Sequence, residues 1–551
     1  MKNIKIFFTG IFFLLFATVY ALDEVYMNQN NLQNFLDDFI SKVELKEEQL
    51  NRAVWILETT GSKDAASLVG SLSSELKILF SDKDIYEKLV SFDMREDLDH
   101  LLKRQIHILI NAFKANMLPK ELLEDISTKE ASLNQMYANF RAKIDGKIYT
   151  ENALRDILKE EKSVDLRKKA WDASKIVGVE LAPKIVELVH LRNKAAKSLG
   201  YENYFDMMLD LSDINKTKLL KTFDDLRIKT DDSFKKVLLH VNETLSNEFD
   251  VSLEEIGPWA YKDPFCQMDP IETSKLNELF QDKDLLKISK SFYEQMGFSV
   301  DDLIDSSDLY ERDGKNQHAF CISVNRKNDV RTLNNIKPNV QWMETLLHEF
   351  GHGVYYLETD EKLPWLLRDS PHVLTTEAIA LLMGRQVYTK EFLRDFLDVK
   401  DEKIFNEVEK GLKRRQLFFS RSAFMITEFE AKMYDDPNQD LNTLWWDLYE
   451  KYYNSPRPEN RDGKADWAAK YHVGLAPVYY YSYLLGEVFA STLQKQLLKI
   501  AKDDNIWKKE AAIFLKDKMF SHGSRYRWDR LIENVLDSPF SIDAWIEECS
   551  K

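Results

Sequence analysis

Val340-Gln-Trp-Met-Glu-Thr-Leu-Leu-His348-Glu349-Phe-Gly-His352-Gly-Val-Tyr-Tyr-Leu357 reads as one helix, entered after Pro338 and Asn339. Its centre, His348-Glu349-Phe350-Gly351-His352, is an H-E-x-x-H pattern. Residues i and i+4 share a helix face, so both imidazoles reach one ion, and the glutamate between them lies close enough to hold a water. Two incidental histidines on an amphipathic helix would be the plainer explanation. The chain has only 10 histidines, however, and spends two of them here.

A third ligand follows in Ser370-Pro-His-Val-Leu-Thr-Thr-Glu377-Ala-Ile-Ala-Leu-Leu-Met-Gly384. Ser370 and Pro371 are expected to cap this second helix. Glu377 lies among apolar residues, where an unpaired carboxylate is costly to bury and a cation removes that cost. Two histidines and a glutamate leave a fourth position open, the donor set of a catalytic rather than a structural zinc. The expected cofactor is one Zn2+ per chain, held by His348, His352 and Glu377, with Glu349 taking the proton of the attacking water.

Outward from these helices the chain is helical in pattern. Glycine (17) and proline (13) are both scarce for 551 residues, which disfavours a turn-rich β fold. From about Asn28 to Asp250 the apolar residues recur at helical steps. Ile185, Leu188, Val189, Ala195, Ala196 and Leu199 form one such stripe, and Gly200 follows as a stop signal. Gln317–Asn325 is the exception: Phe320, Ile322 and Val324 alternate as in an edge strand.

With 44% hydrophobic residues the chain can bury a large core, and its net charge of −16 disfavours nucleic acid as a partner. Lys2 and Lys5 precede an apolar run, Ile6–Tyr20, and Ala21 closes a cleavage-like segment. A signal peptide at 1–21 is therefore expected, with the domain that carries the zinc site at 22–551 and a secreted or periplasmic product. An uncleaved signal acting as an anchor is the alternative. No membrane span is expected after signal removal. Cys266, Cys321 and Cys549 are an odd number, so one bridge is possible and none is required.

At the level of family, HEFGH followed by Glu377 resembles the angiotensin-converting-enzyme family of peptidyl-dipeptidases and its thimet-oligopeptidase-like relatives. Leu191-Arg-Asn-Lys-Ala-Ala-Lys-Ser-Leu-Gly-Tyr201, His318-Ala319, Trp445-Trp446, Lys470-Tyr-His472 and Tyr480-Tyr-Ser-Tyr483 continue the resemblance in order. It implies that His472 and Tyr483 stabilise the tetrahedral intermediate, and that His318 and Ala319 contact the substrate backbone. It also implies that Lys470, with Tyr480 beside it, grips a terminal carboxylate. Imidazolium and phenol are both suitable donors to an oxyanion. For at least two of the tyrosines at 479–481 and 483, core packing is the expected role.

The chain also departs from the family. Tyr261 is expected where the angiotensin-converting type has a carboxylate-binding Gln, and Gln317 stands where it has a cysteine. Tyr449 and Ser482 fall near the positions of its chloride-binding arginines. Leu381 replaces its acidic residue four after the zinc Glu. The run Tyr480-Tyr-Ser-Tyr-Leu-Leu-Gly-Glu-Val-Phe489 is closer to the oligopeptidase branch.

The resulting expectation is a mostly α, elongated, two-lobed helical fold of the zincin type. A deep central cleft closed over by N-terminal helices would accompany a small antiparallel β element near 317–325. The expected function is a monomeric zinc dipeptidyl carboxypeptidase acting on short peptides. An endo-acting oligopeptidase is the alternative within the class, and a catalytically silent peptide-binding homologue the alternative outside it.

Overall fold

The computed structural model describes residues 29–271 and 274–550, so the expected signal segment 1–21 lies outside the described residues. The expectation of a mostly α fold agrees with the structure: helices dominate, and the described strands form two small antiparallel hairpins. One hairpin pairs β1 (Ala142–Ile144) with β2 (Lys147–Tyr149), the other β3 (Phe320–Ser323) with β4 (Val330–Leu333). The first lies in a region read as helical. Its signal was present in Asp145-Gly146, both at positive φ (49° and 81°), the dipeptide that a tight hairpin turn requires.

Seven helices frame the site. They are α1 (Gln29–Thr60), α2 (Val177–Ser198), α3 (Val340–Leu357), α4 (Val373–Gly384), α5 (Glu402–Asp435), the short α6 (Tyr471–Leu475) and α7 (Tyr481–Ala501). The Asn339 side chain caps α3 by accepting from Trp342 N–H. The cap of α4 differs from the expected Ser370. His372 is the N-cap, its Nδ1 accepting from Leu374 N–H at 2.9 Å, while Nε2 meets the Tyr481 hydroxyl of α7 at 3.3 Å. Burial holds His372 neutral, pushing it down to about 4, which leaves Nδ1 free to accept. A cap that also reaches α7 satisfies two elements at once, which a serine in the preceding loop cannot do.

One apolar core runs from Leu133 to Cys549, and a satellite core gathers N-terminal helices around Leu32, Leu36, Ile106 and Phe113. In the main core α4 lies between α3 and α7 and packs on both. Close approach is possible because the contact residues are small. A Cβ on Gly351 would come within 3.0 Å of the Ala380 Cα, and one on Gly486 within 3.3 Å of the Glu377 Cβ. Glycine here serves helix–helix distance, and so the placement of Glu377 opposite the two histidines.

The hairpin β3–β4 packs on α3. Along its outer side α1 is tied by Asn51 Nδ2 to the carbonyls of Ser323 (3.4 Å) and Val324 (3.2 Å), and by Arg326 to Glu47 at 2.7 Å. Among the described residues all three cysteines are free, and no helix is long and apolar enough to cross a membrane.

Candidate active site

His348 and His352 stand one turn apart on α3 with their Nε2 atoms 3.2 Å from each other, and Glu377 Oε2 on α4 lies 3.7 Å from His348 Nε2. The three sets of ligand atoms all fall within 4.8 Å of one another. Burial pushes His348 down to about 4 and His352 well below the usual range, so both imidazoles are neutral with lone pairs available. Glu377 Oε2 is buried with no hydrogen-bond partner. An orphaned carboxylate oxygen facing two neutral imidazole nitrogens is a donor set that lacks only a cation, and two nitrogens with one oxygen suit zinc. These residues fit the metal.

His352 Nδ1 meets the Thr376 hydroxyl at 2.7 Å. The second nitrogen of a ligating histidine is ordinarily fixed by such a partner, here a threonine one residue before Glu377. Leu381, where the resemblance implied an acidic orienting residue, instead packs toward Gly486. Thr376→Val keeps the shape and removes the acceptor. It is expected to weaken zinc binding by about 10- to 100-fold, measured by competition with a chromophoric chelator.

Glu349, next to His348 on α3, is 6% exposed. Burial, with the Glu377 carboxylate nearby, pushes it well above the usual carboxylate range. Such a group accepts a proton readily.

His472 of α6 and Tyr483 of α7 come together across the turn that joins the two helices, with ring centroids 6.3 Å apart. Burial and the adjacent Lys470 push His472 down to about 3, and its Nδ1 is buried without a partner. It therefore offers a neutral imidazole N–H rather than the imidazolium considered from sequence. Burial keeps Tyr483 protonated, pushing it up to about 12. Both are intact donors. Of the tyrosine run, Tyr480 and Tyr481 are buried, whereas Tyr479 and Tyr483 are half-buried. Tyr479, weighed from sequence only for core packing, lies beside Glu377 and draws that carboxyl back down, and its ring sits 5.2 Å from that of Tyr483.

Lys470 is 6% exposed and donates to Gln267 Oε1 at 2.7 Å and to the Tyr480 hydroxyl at 3.4 Å; Tyr480 also donates to Gln267. Tyr261 is elsewhere: its hydroxyl donates to Asn242 Oδ1 at 3.1 Å in the core. The glutamine of this cluster is therefore Gln267, a correction to the expected Tyr261. The loop that brings it in is tied by Asp263, whose carboxylate accepts the backbone N–H groups of Phe265, Gln267 and Met268 at 2.7–3.0 Å. Nothing in the spacing of the sequence points from this loop to Lys470.

His318 is exposed, its N–H bonded to Asn316 Oδ1 at 2.9 Å, and Ala319 immediately precedes β3. Only β4 pairs with β3 among the described residues, so the other edge of β3 has no strand partner.

Residues 26–258 match the family model described as angiotensin-converting enzyme, and residues 306–551 match peptidase family M3. An oligoendopeptidase F homolog from Lactococcus lactis is 27% identical over 211 residues, 36% of this chain and 33% of that protein. The angiotensin-converting enzyme of Sus scrofa is 21% identical over 549 residues, 92% of this chain and 41% of that protein. The angiotensin-converting enzyme-like protein Ace3 of Mus musculus is 22% identical over 423 residues, 68% of this chain and 56% of that protein. The chain thus spans less than two thirds of the length of these relatives. The amino-terminal part of the chain is thus similar to angiotensin-converting enzyme, and the carboxy-terminal part, which carries the metal ligands, to peptidase family M3.

Proposed function

We propose that the protein is a zinc metallopeptidase that releases dipeptides from the free C-terminus of short peptides. The observation that carries the exo-acting reading is the Lys470–Gln267–Tyr480 cluster, an ammonium, an amide and a phenol gathered around one point. A substrate carboxylate there would accept from all three. From this cluster a file of rings leads toward the metal ligands. His472 to Tyr480 is 5.0 Å, Tyr480 to Tyr483 is 5.6 Å, and Tyr479, its ring 5.2 Å from that of Tyr483, lies beside Glu377. Two extended residues span roughly 7 Å, the same order as one to two of these steps.

Zinc, when bound, polarises the scissile carbonyl and brings the pKa of a water toward neutrality. Glu349 takes the proton of the attacking water and later delivers it to the leaving amine. Tyr483 and the neutral His472 donate to the oxygen on which negative charge develops. His318 and Ala319, beside the open edge of β3, hold the peptide backbone as an added strand. The metal ligands lie deep among packed helices, so only flexible, short peptides reach them. The apolar run Ile6–Tyr20 behind Lys2 and Lys5 supports export of the enzyme.

A second reading, internal cleavage of oligopeptides, is favoured by the M3 match over the half that carries the metal ligands. One decapeptide in free-acid and amidated form separates the two. Mass spectrometry is expected to show successive dipeptides leaving the acid, with the amide cut at least tenfold more slowly, the order of one lost charge-assisted contact. Equal internal cutting of both forms would overturn the exo-acting reading.

A pH dependence follows from the same cluster. Burial pushes Lys470 down to about 7, and an entering carboxylate favours its charged form. Above pH 7 binding must therefore take up a proton, so KM for the free acid rises with pH there.

A further inference from the structure

The turn that carries both oxyanion donors is held in an unfavourable backbone conformation by a buried carboxyl group. Between α6 and α7 the chain reverses through Ala476-Pro477-Val478-Tyr479-Tyr480, and Val478 sits at φ +58°. That region suits glycine or asparagine. For a β-branched residue it is an outlier that persists only when its surroundings over-determine it. One such surrounding is visible. The Val478 N–H donates to Oε1 of Glu430 on α5 at 2.9 Å, with Val478 5% exposed and Glu430 1% exposed.

Glu430 lies far from the metal ligands in sequence and has no ion-pair partner within reach among the described residues. Arg192, the cation whose charge acts on it, is engaged with Glu130 at 2.7 Å. Burial pushes Glu430 up to about 8, so near neutral pH it is largely a neutral acid whose carbonyl oxygen can still accept the amide. A carboxyl group placed in an apolar core costs stability unless its hydrogen bond does something for the fold. The far side of the turn is seated too: a Cβ on Gly474 of α6 would come within 2.9 Å of Leu133 Cδ2. With α6 fixed at Gly474 and α7 fixed against α4, the conformation of Val478 sets how His472 and Tyr483 face each other.

We propose that Glu430 is a positioning residue: by accepting the Val478 amide it holds the left-handed turn that brings His472 and Tyr483 together. The inference rests on the proposed roles of those two donors. Glu430 itself touches neither substrate nor metal.

The test uses Glu430→Gln, Glu430→Leu and the double variant Glu430→Leu/Val478→Gly in the full chain, each checked for zinc content. Glutamine keeps an acceptor oxygen and is expected to stay near wild type. Leucine removes it; kcat is expected to fall by ten- to about a hundredfold, the size of effect that a small misplacement of catalytic groups produces, with KM within about threefold. Glycine adopts positive φ without strain, so the double variant is expected to recover most of the lost kcat. Amide hydrogen exchange gives a readout independent of turnover, with residues 473–480 exchanging faster in the leucine variant and slowing again in the double variant. The inference is overturned by unchanged exchange and kcat in a folded Glu430→Leu protein. It is equally overturned by a loss that Val478→Gly does not repair, since that marks general core damage. If the wild type cleaves no peptide, the functional reading fails, and the exchange data alone decide whether Glu430 holds the turn.

Discussion

Glu349→Gln is expected to lower kcat by about three orders of magnitude while leaving zinc stoichiometry and KM close to wild type. The substitution is isosteric, so the packing of α3 around position 349 is preserved. His348, His352 and Glu377 keep their ligand atoms within the same 4.8 Å. What is lost is an atom able to take a proton. Burial and the neighbouring Glu377 carboxylate raise the proton affinity of Glu349, which suits a base that must also return its proton to an amine. Neither Tyr483 nor His472 substitutes: the phenol holds its proton at neutral pH, and burial that pushes the imidazole down to about 3 makes it a poor proton acceptor. Turnover within tenfold of wild type, measured by product release from a fluorogenic peptide, would show that the base lies elsewhere.

Glu377→Gln is expected to abolish activity by a different route, through the metal. In the absence of a cation, burial pushes Glu377 up to about 7. Its folded pKa is raised from 4.5, so the stability of the metal-free protein falls as pH rises from there to about 7 and levels off above it, and metal binding must displace a proton below pH 7. Zinc affinity should therefore fall as the pH drops below 7. In the wild type, zinc at a hundredfold excess over Kd stabilises the fold by about 2.7 kcal/mol, read as a rise in Tm that a chelator reverses. In Glu377→Gln the rise should vanish, while the metal-free protein should be at least as stable as wild type at pH 8, since a buried charge has been removed. A chelator-sensitive Tm in the variant would show that the third ligand is another residue.

How far the sequence alone reached follows from the range of the interactions. The α3 helix was readable from Val340 to Leu357 because capping by Asn339 and apolar spacing are local. The stripe from Ile185 to Ala196 and the stop at Gly200, observed at φ +88°, are local in the same sense. The β1–β2 hairpin was missed although Asp145-Gly146 announced it, since a three-residue strand on either side shows too little alternation against a helical background. The α4 cap was placed on Ser370 because serine is the commoner cap. His372 prevailed through its contact to Tyr481, more than a hundred residues away.

The sequence by itself determined that two imidazoles share one helix face, with a glutamate next to the first of them. The 3.6-residue turn converts a spacing of four into proximity, whatever surrounds the helix. Only the tertiary structure decided what those groups work with. Gln267 meets Lys470 across 203 positions, Thr376 meets His352 across 24, and Glu430 meets Val478 across 48. Those meetings depend on how closely α3, α4 and α7 approach through Gly351, Ala380 and Gly486, and on a valine held at positive φ. Helix geometry is set by the local backbone, whereas the distance between helices is set by which side chains happen to fill the gap.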